Sequence, residues 1–174
     1  MTKDVIACIL ERRSVRNFTG QPIPEATLGR ILDAARWAPS AGNLQPWEFY
    51  VVLNPLLKEK LAAACNDQET VRKAAANIVV CALPEVSKEK YGERGEKLYC
   101  IQDTALAAGY MLLAAAGYGI GSCWIGWFNE GEVQKVLGLP PTHIPTAVVS
   151  LGYSAEEPPA PARWSQDKVI HVLN

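Results

Sequence analysis

Charge imbalance is nearly absent from this 174-residue chain: Lys plus Arg total 17, Asp plus Glu total 18, and the net charge is −1. That balance excludes the broad basic surface of a nucleic-acid or anionic-membrane binder, while leaving room for a local basic pocket. No signal peptide is expected, because Met1-Thr2-Lys3-Asp4 leads into an amphipathic stretch rather than a continuous apolar run. The chain has no Cys-x-x-Cys pair, and neither of its two histidines lies near a cysteine at metal-ligand spacing, so no metal is expected. An odd set of cysteines (Cys8, Cys65, Cys81, Cys100 and Cys123) scattered among apolar residues suits a reducing cytoplasm, with thiols used as small core groups. There is no Gly-x-x-x-x-Gly-Lys-Ser/Thr loop. Gly119-x-Gly121 follows a helical stretch and lacks the third glycine of a Rossmann fingerprint. No Ser-His-Asp, Cys-His or paired-carboxylate arrangement stands out, and His143 and His171 read as structural or surface residues without partners. A redox cofactor would account for that gap, because the cofactor then carries the chemistry.

What is present is an ordinary globular composition, 49% apolar and 20% charged, long enough for a single domain over residues 1–174 with its own core. Residues 2–13 read as a helix with Thr2 as N-cap and Val5, Ile6, Ile9 and Leu10 as its apolar face. Residues 24–37 read as a second helix, with Pro24 in its first turn and a stripe of Leu28, Ile31, Leu32 and Ala35. Trp47 to Leu53 is aromatic and β-branched, hence a strand. Asn54-Pro55 opens a helix ending near Cys65, and a short helix follows over 67–75. Residues 78–83 form a strand-length apolar run. Residues 84–96 are polar and Gly/Pro-punctuated, an exposed loop or short helix. Residues 97–118 form the most apolar helix, uncharged from Thr104 to Tyr118 and shorter than a bilayer span of about 20 residues. Its expected core face is Ile101, Ala105, Ala108, Leu112 and Ala115. A turn and strand follow over 119–126, a short helix over 129–137 capped by Asn129, and a strand over 146–151. Pro158-Pro159-Ala160-Pro161 is extended, and Val169 to Leu173 reads as strand-like.

Three constellations carry chemistry. Arg12, Arg13, Ser14 and Arg16 offer guanidinium forks and a hydroxyl suited to a phosphate, or alternatively form a solvated basic helix end. Pro39 to Trp47 supplies Ser40, Asn43 and Gln45, whose amide and hydroxyl groups match the edge and ribityl chain of a flavin. The bland alternative is a self-capping turn before a strand. Gly121 to Gly126 allows backbone to approach a flat ligand, with Trp124 and Ile125 placed to cover a ring, or is simply a buried strand with a glycine turn.

Arg12 to Phe18, Ala38 to Trp47, Gly119 to Gly126, and Leu151-Gly152-Tyr153 through Arg163 together resemble the nitroreductase family of FMN-dependent oxidoreductases. They occur in the family's order along nearly the whole chain. The resemblance implies an α+β fold, a central, mostly antiparallel β-sheet flanked by helices, and an intertwined homodimer with FMN at the interface. It implies that Arg12, Ser14 and Arg16 hold the phosphate and ribityl chain, with Arg13 acting mainly through backbone and Arg163 reaching the same phosphate. Pro39, Ser40, Ala41, Asn43 and Gln45 would come from the partner subunit. Trp124, Ile125 and Gly126 would lie along the isoalloxazine, with the Gly126 N–H facing N5, and Gln68 would reach the pyrimidine edge. No side chain is assigned a catalytic role. Where many family members carry Pro-x-Glu-Gly, this chain has Trp124-Ile125-Gly126-Trp127.

The activity so implied is hydride transfer from NAD(P)H through FMN to a small-molecule acceptor such as a nitroaromatic or quinone, with ping-pong kinetics, in a cytoplasmic protein that binds neither nucleic acid nor membrane. The alternatives are a flavin-binding or sensing module without turnover, favoured by the indole-rich Trp124–Trp127 stretch, and a specialised relative of the reductive-dehalogenase kind. Residues 84–96 are the candidate substrate lid.

Overall fold

The computed structural model describes residues 4–173. Four strands form one sheet in the order β1-β2-β4-β3, and every neighbouring pair runs antiparallel. These are β1 (Trp47–Val52), β2 (Ala76–Ala82), β3 (Gly121–Ile125) and β4 (Ile144–Gly152). β2 and β4 sit in the middle, which explains why their sequences are apolar runs rather than alternations. Alternate residues then feed two cores. Ile78, Val80, Ala147 and Val149 pack on one face with α2 (Glu25–Arg36) and α6 (Cys100–Gly117). Val79, Cys81 and Val148 pack on the other with α3 (Pro55–Ala64) and α7 (Glu130–Leu137). A buried polar pair crosses the centre: Ser150 donates to Asn77 Oδ1 at 2.7 Å, and Asn77 Nδ2 donates to the Val71 carbonyl at 2.8 Å. Each of those bonds avoids the cost of a stranded buried polar group.

The remaining helices are α1 (Val5–Glu11), α4 (Glu69–Lys73), α5 (Pro84–Arg94) and α8 (Gln166–Val169). The Thr2 cap lies outside the described residues. Asp4 caps α1, accepting from the backbone N–H of Ile6 and Ala7. The expected apolar face of α1 forms, yet within one chain it stays largely exposed: Ile9 is 52% exposed and Leu10 68%. Only Cys8 of this helix is buried.

Residues 84–96 take the helical one of the two forms expected, and two other expectations are corrected. α5 is broken at Gly92, whose φ of 57° is left-handed, and a single π-helical stretch, Gly95–Tyr99, then leads into α6. The buried seam of α6 is Cys100, Asp103, Thr104, Ala107, Ala108, Met111 and Ala115, while Ile101 and Ala105 face outward. The cause is tertiary: Asp103 turns inward to hold the 39–45 loop, rotating the apolar face expected from the sequence. Finally, Val169 closes α8 and residues 170–173 pair with no strand. The helical run Pro84–Gly117 is long and apolar enough by composition to cross a membrane, but α6 spends its Ala108, Met111 and Ala115 on the core.

Candidate functional site

The basic segment leaves α1 at Arg12, where the backbone turns extended (φ −55°, ψ 134°). It is then pinned to the sheet. Ser14 forms an isolated parallel bridge with Ser122 of β3, and Val15 N–H donates to the Ser122 carbonyl at 2.9 Å. Gly121 makes this close approach possible, since a Cβ there would come within 3.0 Å of Val15 Cγ2. The glycine therefore serves chain packing. A carboxylate fixes the next turn: Glu156 Oε1 accepts from the N–H groups of Arg16 and Asn17 at 2.6 and 3.1 Å, and Asn17 Nδ2 donates to its second oxygen at 2.8 Å. Those three bonds hold the Glu156 carboxyl below its ordinary range.

The result is a pocket of about 220 Å³ lined by Arg12, Arg13, Gly121, Ser122, Ser154 and Glu156 among others. Arg13 folds its guanidinium back, donating to the carbonyls of Leu10 and Arg12 at 2.8 and 2.9 Å. The Arg16 guanidinium makes a long bond, 3.5 Å, to the Ser14 carbonyl. Burial pushes the Cys123 thiol up, while the positive charges of Arg16 and Arg12 pull it down, so both guanidinium groups act on this end of β3. Ser122 Oγ is buried and has no hydrogen-bond partner among the described residues. An orphaned hydroxyl beside two arginines fits a phosphate-bearing group, which would accept its hydrogen bond.

Arg12 also lines a second, larger groove of about 990 Å³ with Ile9, Pro39, Ser40, Ala41 and Tyr99. The 39–45 loop is strongly shaped. Gly42, Asn43 and Gln45 all have left-handed φ values, 58°, 57° and 52°. Ser40 Oγ accepts from Gln45 N–H at 2.9 Å, Gln45 Nε2 donates to the Asn43 carbonyl at 3.2 Å, and Ala41 N–H is shared between the Asp103 oxygens at 3.1 and 3.2 Å. Burial pushes the Asp103 carboxyl above its ordinary range, and the Ala41 N–H pulls it partly back.

The Trp124–Gly126 segment lies at the far end of β3. Trp124 points outward, 38% exposed, but the side chain of Ile125 is buried in the core, so Ile125 can offer a ligand only its backbone. Gln68 Nε2 donates to the carbonyls of Cys65 and Trp127, both at 2.9 Å, and Asn66 Nδ2 donates to the same Trp127 carbonyl at 3.0 Å. Gln68 thus steadies the loop after β3. Arg163 is exposed and donates to the neighbouring Ala162 carbonyl at 3.3 Å.

Sequence reasoning missed Asp103, Glu156 and Asn66, which hold the candidate segments in place. Asp103 had a signal, as the last charge before the uncharged stretch of α6. His143 is also corrected: far from lacking partners, its Nε2 lies 3.1 Å from the Glu48 carboxylate, which in turn accepts from Tyr50 at 2.8 Å. Burial and that donated bond push Tyr50 up to about 12. Among the described residues no group of three His, Cys, Asp or Glu side chains gathers to hold a metal.

Fold and pocket define a class: an α+β protein with a cavity lined by arginine and hydroxyl groups. The Nitroreductase family matches residues 9–93 and 58–153. A Thermus thermophilus NADH dehydrogenase is 32% identical over 194 aligned positions, covering 96% of this chain and 95% of the relative. An oxygen-insensitive NADPH nitroreductase of Salmonella typhimurium is 30% identical, covering 95% and 72%. The crystal structure of nitroreductase A from Vibrio parahaemolyticus superposes with a TM-score of 0.90 at 28% identity, over 100% of this chain and 77% of that one. The chain belongs to the nitroreductase family.

Proposed function

We propose that this nitroreductase-family, NAD(P)H-dependent oxidoreductase works as a cytoplasmic homodimer that holds FMN. The observation that carries the reading is the unpartnered, buried Ser122 hydroxyl in a pocket walled by Arg12 and Arg13. Arg12, Ser14, Ser122 and Arg16 hold the phosphate end, and Arg163 joins them once two chains pair. Pro39, Ser40, Ala41, Asn43 and Gln45 are contributed by the partner, preset by Asp103. The backbone of Trp124, Ile125 and Gly126 lies along the ring system, its loop steadied by Gln68 and Asn66. FMN bound there would supply the redox chemistry between NAD(P)H and an acceptor such as a nitroaromatic or quinone, with ping-pong kinetics. The protein's own part is binding, orientation and amide donation at the ring edge.

Pairing is supported by uncovered apolar surface on α1 and α6: Ile6 57%, Ile9 52%, Leu106 45% and Tyr110 41% exposed. A patch of this kind is what a second copy buries. The cytoplasmic assignment is supported by the five cysteines, all buried and none in a disulfide.

Steady-state kinetics with NADH or NADPH against menadione test the reading. Parallel double-reciprocal lines are expected, and intersecting lines contradict the ping-pong order. Sedimentation should give a flavin-loaded dimer, and a stable flavin-loaded monomer contradicts the shared site.

A further inference from the structure

A cationic and aromatic cluster sits at the end of α5, outside the phosphate pocket. In this segment Lys88 pairs with Glu85 and Glu96, at 3.5 and 2.9 Å, and Lys97 pairs with Glu93 at 2.5 Å. Lys90 and Arg94 form no ion pair among the described residues. Their charges rest on tyrosine rings instead. Lys90 Nζ is 5.5 Å from the centre of Tyr91, and the Arg94 guanidinium is 5.4 Å from the centre of Tyr99. Arg94 Nε donates to the Tyr99 hydroxyl at 3.0 Å, and the two tyrosines meet edge to face at 5.3 Å.

Lys90 and Tyr91 reach the 39–45 loop: a Cβ at Gly42 would lie 2.5 Å from the Tyr91 hydroxyl and 2.7 Å from Lys90 Nζ, so the ends of both side chains lie against Gly42. Tyr99 also lines the large groove beside Arg12 and Ser40. α5 breaks at Gly92, between Tyr91 and Arg94.

We propose that this cluster selects the electron acceptor, favouring a planar aromatic compound that bears a carboxylate or sulfonate. The proposal rests on the groove being the flavin site. Arg94 spends Nε on Tyr99 and is held against its ring, which leaves its terminal nitrogens pre-oriented for a bidentate anion. Lys90 adds a second positive charge, and the tyrosine rings offer faces and edges to the acceptor's ring. The contrast within one segment decides it: Lys88 and Lys97 have carboxylate partners, and Lys90 and Arg94 have none among the described residues.

The test uses the flavin-loaded protein with 4-nitrobenzoate and nitrobenzene as acceptors, and calorimetry with benzoate, which is not reduced. Arg94→Gln should raise the KM for 4-nitrobenzoate and the Kd for benzoate about tenfold, the loss expected of one charged hydrogen bond. The kcat and the nitrobenzene KM should stay unchanged. Lys90→Gln should act in the same direction more weakly, and Arg94→Lys should restore part of the loss. Equal losses on both acceptors, no change on either, or a rise confined to the KM for NADPH would overturn the proposal. Protein that holds no flavin overturns the underlying site. Flavin-loaded protein in which Arg94→Gln treats the two acceptors alike overturns only the acceptor preference.

Discussion

Glu156 holds the backbone of Arg16: its Oε1 accepts the Arg16 N–H at 2.6 Å, across more than a hundred residues of chain. A carboxylate thus positions a basic segment by its backbone, while the Arg16 guanidinium makes a long bond, 3.5 Å, to the Ser14 carbonyl. Because those hydrogen bonds lower the folded-state pKa of Glu156 from its ordinary 4.5, its contribution is present above pH 4.5. It is lost as the pH falls below that value through the lowered pKa. Glu156→Gln should therefore flatten the acid limb of the stability profile, measured by circular dichroism. Superimposable acid limbs would show that the contact contributes nothing.

Arg16→Ala separates the guanidinium from the backbone, since the N–H bond to Glu156 survives the substitution. The loss of one charge-assisted phosphate contact should weaken FMN binding by roughly 1.5–3 kcal/mol, about ten- to hundredfold. Equilibrium binding of FMN to stripped protein measures it. An unchanged affinity would remove Arg16 from the site.

Ser122→Ala should divide stability from binding. Its hydroxyl is buried without a partner, and an unsatisfied buried hydroxyl costs roughly 1–3 kcal/mol. The cofactor-free protein should therefore melt no lower, while FMN affinity falls roughly three- to tenfold through the lost hydrogen bond. A lower melting temperature in the cofactor-free protein would mean that the hydroxyl already has a structural role.

Asp103→Asn keeps an oxygen for the Ala41 N–H and removes a buried charge. Burial raises the folded-state pKa of Asp103 above its ordinary 3.8, so the folded state binds this proton more tightly. Wild-type stability then falls as the pH rises from about 3.8 through the raised value. The variant's advantage should grow over that window and level off above it, in denaturant melts taken at successive pH values. An advantage independent of pH would contradict a raised pKa.

The sheet was legible because its strands are runs of β-branched and aromatic residues, and Trp47, Ile78 and Val148 fall in strands as their patterns indicate. The helix start at Asn54-Pro55 and the Asn129 cap were legible too, because a cap is a local bond. What one stretch could not reveal was tertiary. The amphipathy of α1 marks an apolar face but not what covers it. Asp103 rotates the seam of α6 because of a loop some sixty residues earlier. The His143–Glu48 pair spans β1 and the start of β4. In the candidate site, the arginine and serine-rich segments were visible as composition, whereas Glu156, Asn66 and the orphaned Ser122 hydroxyl appear only once the chain is folded.

The most direct test of the central claim is a visible spectrum of the purified protein, followed by anaerobic addition of NADH and then NADPH. The account predicts yellow protein whose flavin absorbance bleaches on reduction and returns when a quinone is added. Colourless protein that fails to take up added FMN would contradict it.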